Sequence, residues 1–259
     1  MCEDNDFQNI KSYATKRRSE YFFDSSAIKR ADGRYVAWVD LLGAGHLMTV
    51  SIEKTVNAII RLHMAVYNAC CGGVISVPIN DGVFIIARSK KDIIFILKKI
   101  IVDLSCVFMS TDNPEDRTML SCGLAYGPVY IGDDLRDGVG GKGQKEKYDA
   151  IFRQIAFGSA VIQAYKEERN AAPFGVAIHE SARSFSSNED KPFQDAHLRW
   201  WSSDADINGN YSFPPLKILR DYLKIKLYEQ LNYIENHLIY SEISIEKINI
   251  IRNKIKWYY

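Results

Sequence analysis

The most informative segment of the sequence is RYVAWVDLLGAG, residues 34–45. The residues between Arg34 and Asp40 are apolar and mostly β-favouring, which predicts a short buried strand that begins at Arg34 and ends at Asp40. The glycines that follow predict a turn. A helical pattern then runs from His46 to about Asn68. A carboxylate at the end of a buried strand, just before a glycine-containing turn into a helix, is a candidate ligand-binding group.

A second informative stretch is VISVPINDGVFIIA, residues 74–87. Two β-type runs flank Asn80-Asp81-Gly82, which is a strong hairpin signal. In the helix before this hairpin, one face carries the apolar or aromatic positions Ile52, Val56, Ile59, Ile60 and His63. Further helices are predicted from Ser89, between Gly158 and Arg169, and in two pieces over 216–259. Further strands are predicted at 117–125, 129–132, 151–157 and 174–178, with a turn at Gly127-Pro128 between the first two.

The resulting order, β-α-β-β-α-β, predicts a mixed α/β (α+β) fold. Its core has the ferredoxin-like, split βαβ arrangement, in which one sheet packs against helices. In that arrangement the first strand lies beside the hairpin strands at the centre of the sheet. Asp40 and Asp81, 41 positions apart in sequence, are therefore expected to meet in space.

Composition excludes several classes of function. The formal net charge of +1, from 33 basic and 32 acidic residues, gives no reason to expect nucleic acid or an anionic membrane as a partner. No apolar run is long enough for a transmembrane helix, and the N-terminal segment lacks the apolar core of a signal peptide. The five cysteines form no CxxC pair, so the chain is expected in a reducing cytoplasm.

Two neighbouring carboxylates offer only oxygen ligands, which suit two Mn²⁺ or Mg²⁺ ions about 4 Å apart. Such a pair catalyses in-line attack on a nucleotide α-phosphate. The purely structural alternatives are a helix N-cap for Asp40 and an ordinary turn residue for Asp81. The glycines at 43 and 45 serve either a phosphate-cradling turn or backbone geometry alone. Trp38 shares the strand face of Asp40 and packs against either a nucleotide or the sheet.

Four segments together resemble the class III nucleotidyl cyclase catalytic domain, over roughly residues 34–183. Val39-Asp40-Leu-Leu-Gly43 and Ile79-Asn-Asp-Gly82 are similar to the two metal-binding segments of that family. Residues 121–132, SCGLAYGPVYIG, resemble its GxxxGxVxxG strand, and residues 157–164, FGSAVIQA, resemble its GxxVNxAxR helix. The resemblance implies a lead-in at 1–33, a catalytic domain at 34–185, and a loop with a helical extension at 186–259.

The resemblance also implies the site. Asp40, Leu41 and Asp81 would hold the metal ions. Trp38 and the segment Leu42-Gly43-Ala44-Gly45 would contact the substrate. In the family the active site forms between two protomers, so a homodimer is expected. The transition-state Asn and Arg of the family fall at Ile162 and Lys166, which leaves Lys166 or Arg169 to stabilise the developing charge.

Departures from the family indicate the substrate. The positions that read adenine in the purine cyclases are Val77 and Ile155 here, and neither side chain can hydrogen-bond a base. This resembles the pyrimidine cyclases of bacterial Pycsar anti-phage systems. The resemblance implies synthesis of cyclic UMP or cyclic CMP from UTP or CTP, with uridylate cyclase preferred, and a separate effector that the product activates. The alternatives are an adenylate cyclase, or a degenerate cyclase-like module that binds nucleotide or dimerises without activity.

Overall fold

The structure is a computed structural model. It describes residues 2–20, 23–28, 30–70, 72–138, 148–202, 213–237 and 244–259. The chain divides into two compact units. One comprises Met1–Ala31 with Tyr130–Ala156, and the other comprises Asp32–Val129 with Phe157–Tyr259.

The strands belong to one mixed sheet. They are β1 (Asp32–Leu42), β2 (Ile75–Ile79), β3 (Gly82–Ala87), β4 (Met119–Ile131), β5 (Ala156–Phe157), β6 (Val176–Ile178) and β7 (His197–Leu198). The main path through the sheet is β2-β3-β1-β4-β6-β7. β1 is antiparallel to both β3 and β4, whereas β4 and β6 are parallel. The first four strands therefore have the ferredoxin-like order, and the predicted fold class is confirmed.

The helices of the larger unit connect or cover these strands. They are α2 (Ala44–Val50), α3 (Ile52–Ala69), α4 (Lys90–Ser110), α7 (Ser159–Glu168), α8 (Glu180–Ser184), α9 (Leu216–Asn236) and α10 (Ile245–Tyr258). The smaller unit contains α1 (Cys2–Glu20), α5 (Gly132–Leu135) and α6 (Asp149–Phe152). No helix within the described ranges has both the length and the apolar character needed to cross a membrane.

Side chains of β1 alternate between the two faces of the sheet. Tyr35, Ala37, Val39 and Leu41 belong to the main core, together with the buried residues of α3 and α4. Asp40 and the other even-numbered residues of β1 therefore point to the opposite face. Helix α7 packs on that second face, against β1 and β4.

The expected helix over 46–68 is two helices. The chain breaks at Ser51, whose side chain caps α3 by accepting from the amide of Lys54 at 3.3 Å. The face that carries Ile52, Val56 and Ile60 is exposed. The buried face instead holds Thr55, Ala58, Leu62, Ala65, Val66 and Ala69. Its small side chains let the helix axis approach the sheet and α4 closely.

Two predicted elements were wrong. The turn expected at Gly127-Pro128 is absent from the described strand β4, because eleven consecutive residues of β1 pair with Met119–Val129 and hold the strand straight. The strand expected over 151–157 is α6 followed by the two residues of β5. Asp149, in the first turn of α6, stabilises the helix by an ion pair with Arg153 four residues later, at 2.7 Å.

The C-terminal segment is helical in two pieces, as predicted, and Ser244 caps the second piece by accepting from the amide of Lys247 at 3.2 Å. The end of α10 is buried in the larger unit. The hydroxyl of Tyr258 donates to the carbonyl of Leu198 at 2.5 Å and accepts from the amide of Val176 at 3.3 Å. The hydroxyl of Tyr259 donates to the carbonyl of Pro173 at 2.7 Å. These contacts anchor α10 beside β6.

Candidate functional site

The pairing of β1 with β3 places Asp40 and Asp81 side by side. Asp40 lies directly opposite Gly82, the first residue of β3. The amide of Leu41 donates to the carbonyl of Asp81 at 3.3 Å. The two carboxylates thus share one end of the central antiparallel pair.

The hairpin turn that carries Asp81 is fixed from two directions. Asn80 takes a left-handed conformation with φ of 52°, which asparagine tolerates better than most residues. Nε2 of His63, on α3, donates to the carbonyl of Asn80 at 3.0 Å. A side chain at Gly82 would place its Cβ 2.2 Å from the ring of Trp38 and 3.0 Å from Oδ1 of Asp40. Glycine is therefore required where the hairpin approaches Asp40.

Negative charge is concentrated around Asp40. Burial above all, and then the charges of Glu168 and Asp81, raise the pKa of Asp40 to about 7. Like charges disfavour ionisation of a carboxyl group. A cation placed beside Asp40 would remove this penalty, so the electrostatics of the site favour a positively charged ligand.

Two residues next to Asp40 were missed by the sequence analysis. Ser121 of β4 lies opposite Asp40 in the sheet, and its hydroxyl donates to Oε1 of Glu168, the last residue of α7. A signal for Glu168 existed in the sequence. It falls four residues after Ala164 and eight after Ala160, both buried, so a charged residue lies on the buried face of an amphipathic helix.

The predicted substrate-binding residues have different surroundings. Trp38 is buried, and its ring lies 4.4 Å from that of Phe84 and 5.7 Å from that of Tyr165. This favours a packing role for the indole. Leu42 is half-buried, Gly43 has a φ of 83°, Ala44 is buried and Gly45 is exposed. A Cβ added at either glycine would meet no atom within 4 Å, so open space adjoins this turn.

The candidate transition-state residues are exposed. Lys166 lies in the last turn of α7, and Arg169 follows as its C-cap. The carbonyl of Arg169 accepts a hydrogen bond from Nζ of Lys254 on α10. Ile162, one turn before Lys166, is 57% exposed. These side chains are accessible to a second molecule.

The donors present suit a hard divalent cation. Asp40 and Asp81 supply carboxylate oxygens. The side chain of Leu41 is buried in the core, so this residue has only its main-chain carbonyl to offer. Among the described residues, no three His, Cys, Asp or Glu side chains form a cluster that could hold a metal ion.

A groove of about 410 Å³ lies elsewhere, between α3 and the β2–β3 hairpin. Its walls include Ile60, His63, Met64 and Tyr67. Val83, which also lines it, belongs to the main-core face of the sheet. The groove and Asp40 are therefore on opposite faces, and the groove is not part of the candidate site.

No family model matches the chain, and no curated protein matches it by sequence. Several solved structures are similar in fold. The guanylyl cyclase domain of the RhoGC fusion protein from the aquatic fungus Blastocladiella emersonii is 17% identical, with a TM-score of 0.43, over 59% of this chain and 84% of that one. The guanylate cyclase domain of RhGC from Catenaria anguillulae, solved in complex with GTP, is 15% identical, with a TM-score of 0.42, over 59% and 81%. A bacterial light-regulated adenylyl cyclase is 19% identical, with a TM-score of 0.43, over 54% and 71%.

Proposed function

We propose that this protein is a nucleotidyl cyclase that converts UTP or CTP to the 3′,5′-cyclic nucleotide and pyrophosphate. The observation that carries the proposal is the proximity of Asp40 and Asp81 at the end of the central strands, where Asp40 lies opposite Gly82 and the amide of Leu41 donates to the carbonyl of Asp81. The raised pKa of Asp40 adds an electrostatic reason for a divalent cation to bind there. The proposed catalytic segment is residues 34–185.

Asp40, Asp81 and the carbonyl of Leu41 would hold two Mn²⁺ or Mg²⁺ ions. When bound, such ions supply Lewis acidity that favours loss of the ribose 3′-hydroxyl proton and neutralises phosphate charge. The open turn at Leu42–Gly45 would accommodate the phosphates. The 3′-oxygen attacks the α-phosphorus in line, the bond to pyrophosphate breaks, and the 3′-hydroxyl proton passes to solvent.

The transition-state charge requires a cation from the protein. Lys166 and Arg169 are exposed on α7, where they can face a partner protomer. The same helix exposes Ile162 and Tyr165, which are 57% and 59% accessible, and Phe157, just before the helix in sequence, is also exposed. Apolar side chains clustered on a surface indicate an interface. We therefore propose a homodimer in which α7 of one protomer supplies Lys166 or Arg169 to the aspartates of its partner.

The pyrimidine preference rests on the missing base readers. Val77 is 2% exposed and lies opposite Phe84 in the sheet, so it presents no polar group to a base. Ile155 is half-buried and equally apolar. Neither side chain could hydrogen-bond the edge of a purine, and hydrogen bonds left unmade to a base are costly. The proposed cellular role is synthesis of a second messenger for anti-phage defence, which acts on a separate effector.

The decisive experiment incubates the pure protein with ATP, GTP, CTP or UTP in the presence of Mn²⁺ and identifies products by mass spectrometry. We expect cyclic UMP or cyclic CMP, lost in Asp40→Asn and Asp81→Asn and retained in the exposed-turn control Asp112→Asn. Cyclic AMP as the main product would contradict the pyrimidine assignment. Size-exclusion chromatography with light scattering tests the dimer, which Ile162→Glu should dissociate.

One observation favours a second candidate, a nucleotide-binding module without turnover. Ile162 occupies an exposed position on α7 where the resemblance calls for an asparagine. Its side chain has no hydrogen-bonding group to orient a ribose. Thermal stabilisation by UTP and Mn²⁺ without any cyclic product would favour this module over the enzyme.

A further inference from the structure

We infer that Glu168 is a positioning residue of the proposed divalent-cation site, a third carboxylate that strengthens cation binding from behind Ser121 without itself coordinating the ion. The inference rests on the proposed function, because it concerns the same cations. It adds a residue that neither the sequence motifs nor the resemblance assigned.

The geometry begins with the register of β1 and β4. Ser121 is the cross-strand partner of Asp40, and side chains of such partners project from the same face a few ångströms apart. Its hydroxyl donates to Oε1 of Glu168. This bond holds the carboxylate of Glu168 beside Ser121, on the face of the sheet to which Asp40 points.

The backbone of α7 is held at the same place. A Cβ at Gly123 would lie 2.1 Å from the carbonyl oxygen of Ala164 and 2.4 Å from the amide nitrogen of Glu168. The helix can approach β4 this closely only because residue 123 is glycine. Glu168 therefore has little freedom to swing away from Asp40, since both its main chain and its carboxylate are restrained.

The position of Glu168 is unfavourable for stability alone. It is the last residue of α7, where the negative end of the helix dipole disfavours a carboxylate. It also adds repulsion to Asp40, as does Asp81. Lys254 of α10 provides a partial counter-charge. A charge kept where it costs stability is typical of a functional site, and bound divalent cations would convert the repulsion into attraction.

Glu168 acts in this account through charge and through its bond to Ser121, as outer carboxylates do in metal sites. Groups that hydrogen-bond a metal ligand directly are typically worth 10–100-fold in metal affinity, and a carboxylate held one side chain further away should be worth the lower end of that range. The chain offers a matched control in Glu167. It is the adjacent residue of the same helix, and its carboxylate accepts from Nδ2 of Asn170 at 3.0 Å instead.

The test measures the dissociation constant for Mn²⁺ by the electron paramagnetic resonance signal of the free ion, with no nucleotide present. We expect Glu168→Gln to weaken binding about tenfold, Glu167→Gln to change it less than about twofold, and Glu168→Asp to restore part of the loss. Near-ultraviolet circular dichroism confirms folding of each variant. Should Glu168→Gln not fold, Ser121→Ala must weaken binding severalfold, because it frees the carboxylate.

The outcomes separate the two proposals. Equal affinities in Glu168→Gln and Glu167→Gln, with binding lost in Asp40→Asn, would overturn the role of Glu168 alone. Binding that Asp40→Asn leaves unchanged would overturn the proposed cation site and the role of Glu168 with it.

Discussion

Replacement of Asp40 by asparagine is expected to stabilise the protein at alkaline pH in the absence of divalent cations. Asparagine has nearly the shape of aspartate but carries no charge, so it removes the cost of burying a charged group and the repulsion from Glu168 and Asp81. The raised pKa of Asp40, about 7, means that the folded state binds this proton more tightly than the unfolded chain does. Stability contributed by the protonated carboxyl is therefore present at low pH and lost as the pH rises.

The structure sets the magnitude. A rise of about three pKa units from the ordinary value of 3.8 corresponds to about 4 kcal/mol if fully expressed. The carboxylate is only partly buried, so solvent screening reduces this to about 1–2 kcal/mol. The advantage of Asp40→Asn should be near zero at pH 4, grow between about pH 4 and pH 7, and remain constant above pH 7.

The assay is urea denaturation of both proteins at pH 4, 6 and 8 in EDTA, with Asp112→Asn as a control for an exposed aspartate. Comparison at each pH cancels the other titrating groups. Adding Mn²⁺ at pH 8 should stabilise the natural protein and leave Asp40→Asn unchanged. The electrostatic explanation would be refuted if Asp40→Asn were less stable than the natural protein at pH 8. It would also be refuted if the difference in free energy of unfolding were the same at all three pH values.

Three further outcomes follow from the packing. Gly123→Ala should cost about 2–3 kcal/mol in urea denaturation, because its Cβ would meet the backbone of α7; a cost below about 0.5 kcal/mol would contradict that close approach. Tyr258→Phe should lose about 1–3 kcal/mol, since the amide of Val176 and the carbonyl of Leu198 lose their partner; an unchanged melting temperature would argue against the anchor. Burial lowers the pKa of His197, so the stability that its neutral form contributes is lost as the pH falls below about 6.5. The melting temperature of His197→Gln should therefore fall less steeply with acid than that of the natural protein. Parallel curves of melting temperature for the two proteins from pH 7 to pH 5 would contradict this.

The central strands could be predicted from the sequence because their signals are local. The run at 34–40 is apolar and β-favouring, and Asn80-Asp81-Gly82 identifies the hairpin by itself. Chain topology then follows from the few ways in which such units pack. The proximity of Asp40 and Asp81 could be predicted from the sequence for the same reason.

The failures involve contacts between distant segments. Periodicity revealed the stripe through Ile52 and Ile60 on α3, but not that the opposite, alanine-containing face packs on the core. The turn signal of Gly127-Pro128 was overridden by pairing with β1. Helical spacing could place Glu168 on the buried face of α7, but its contact with Ser121 depends on the register of β4 and on the approach of α7 at Gly123. Neither is encoded by a local pattern.

The anchoring of α10 has a consequence for synthesis. The ribosome makes the strands that carry Asp40 and Asp81 early, whereas Lys254 and Tyr258, which bond to the end of α7 and to β6, emerge much later. At about 5–20 residues per second, many seconds pass between the synthesis of Asp81 and that of Lys254. The hydrogen bond from Lys254 to the end of α7 therefore forms only after the strands that carry both aspartates have been made.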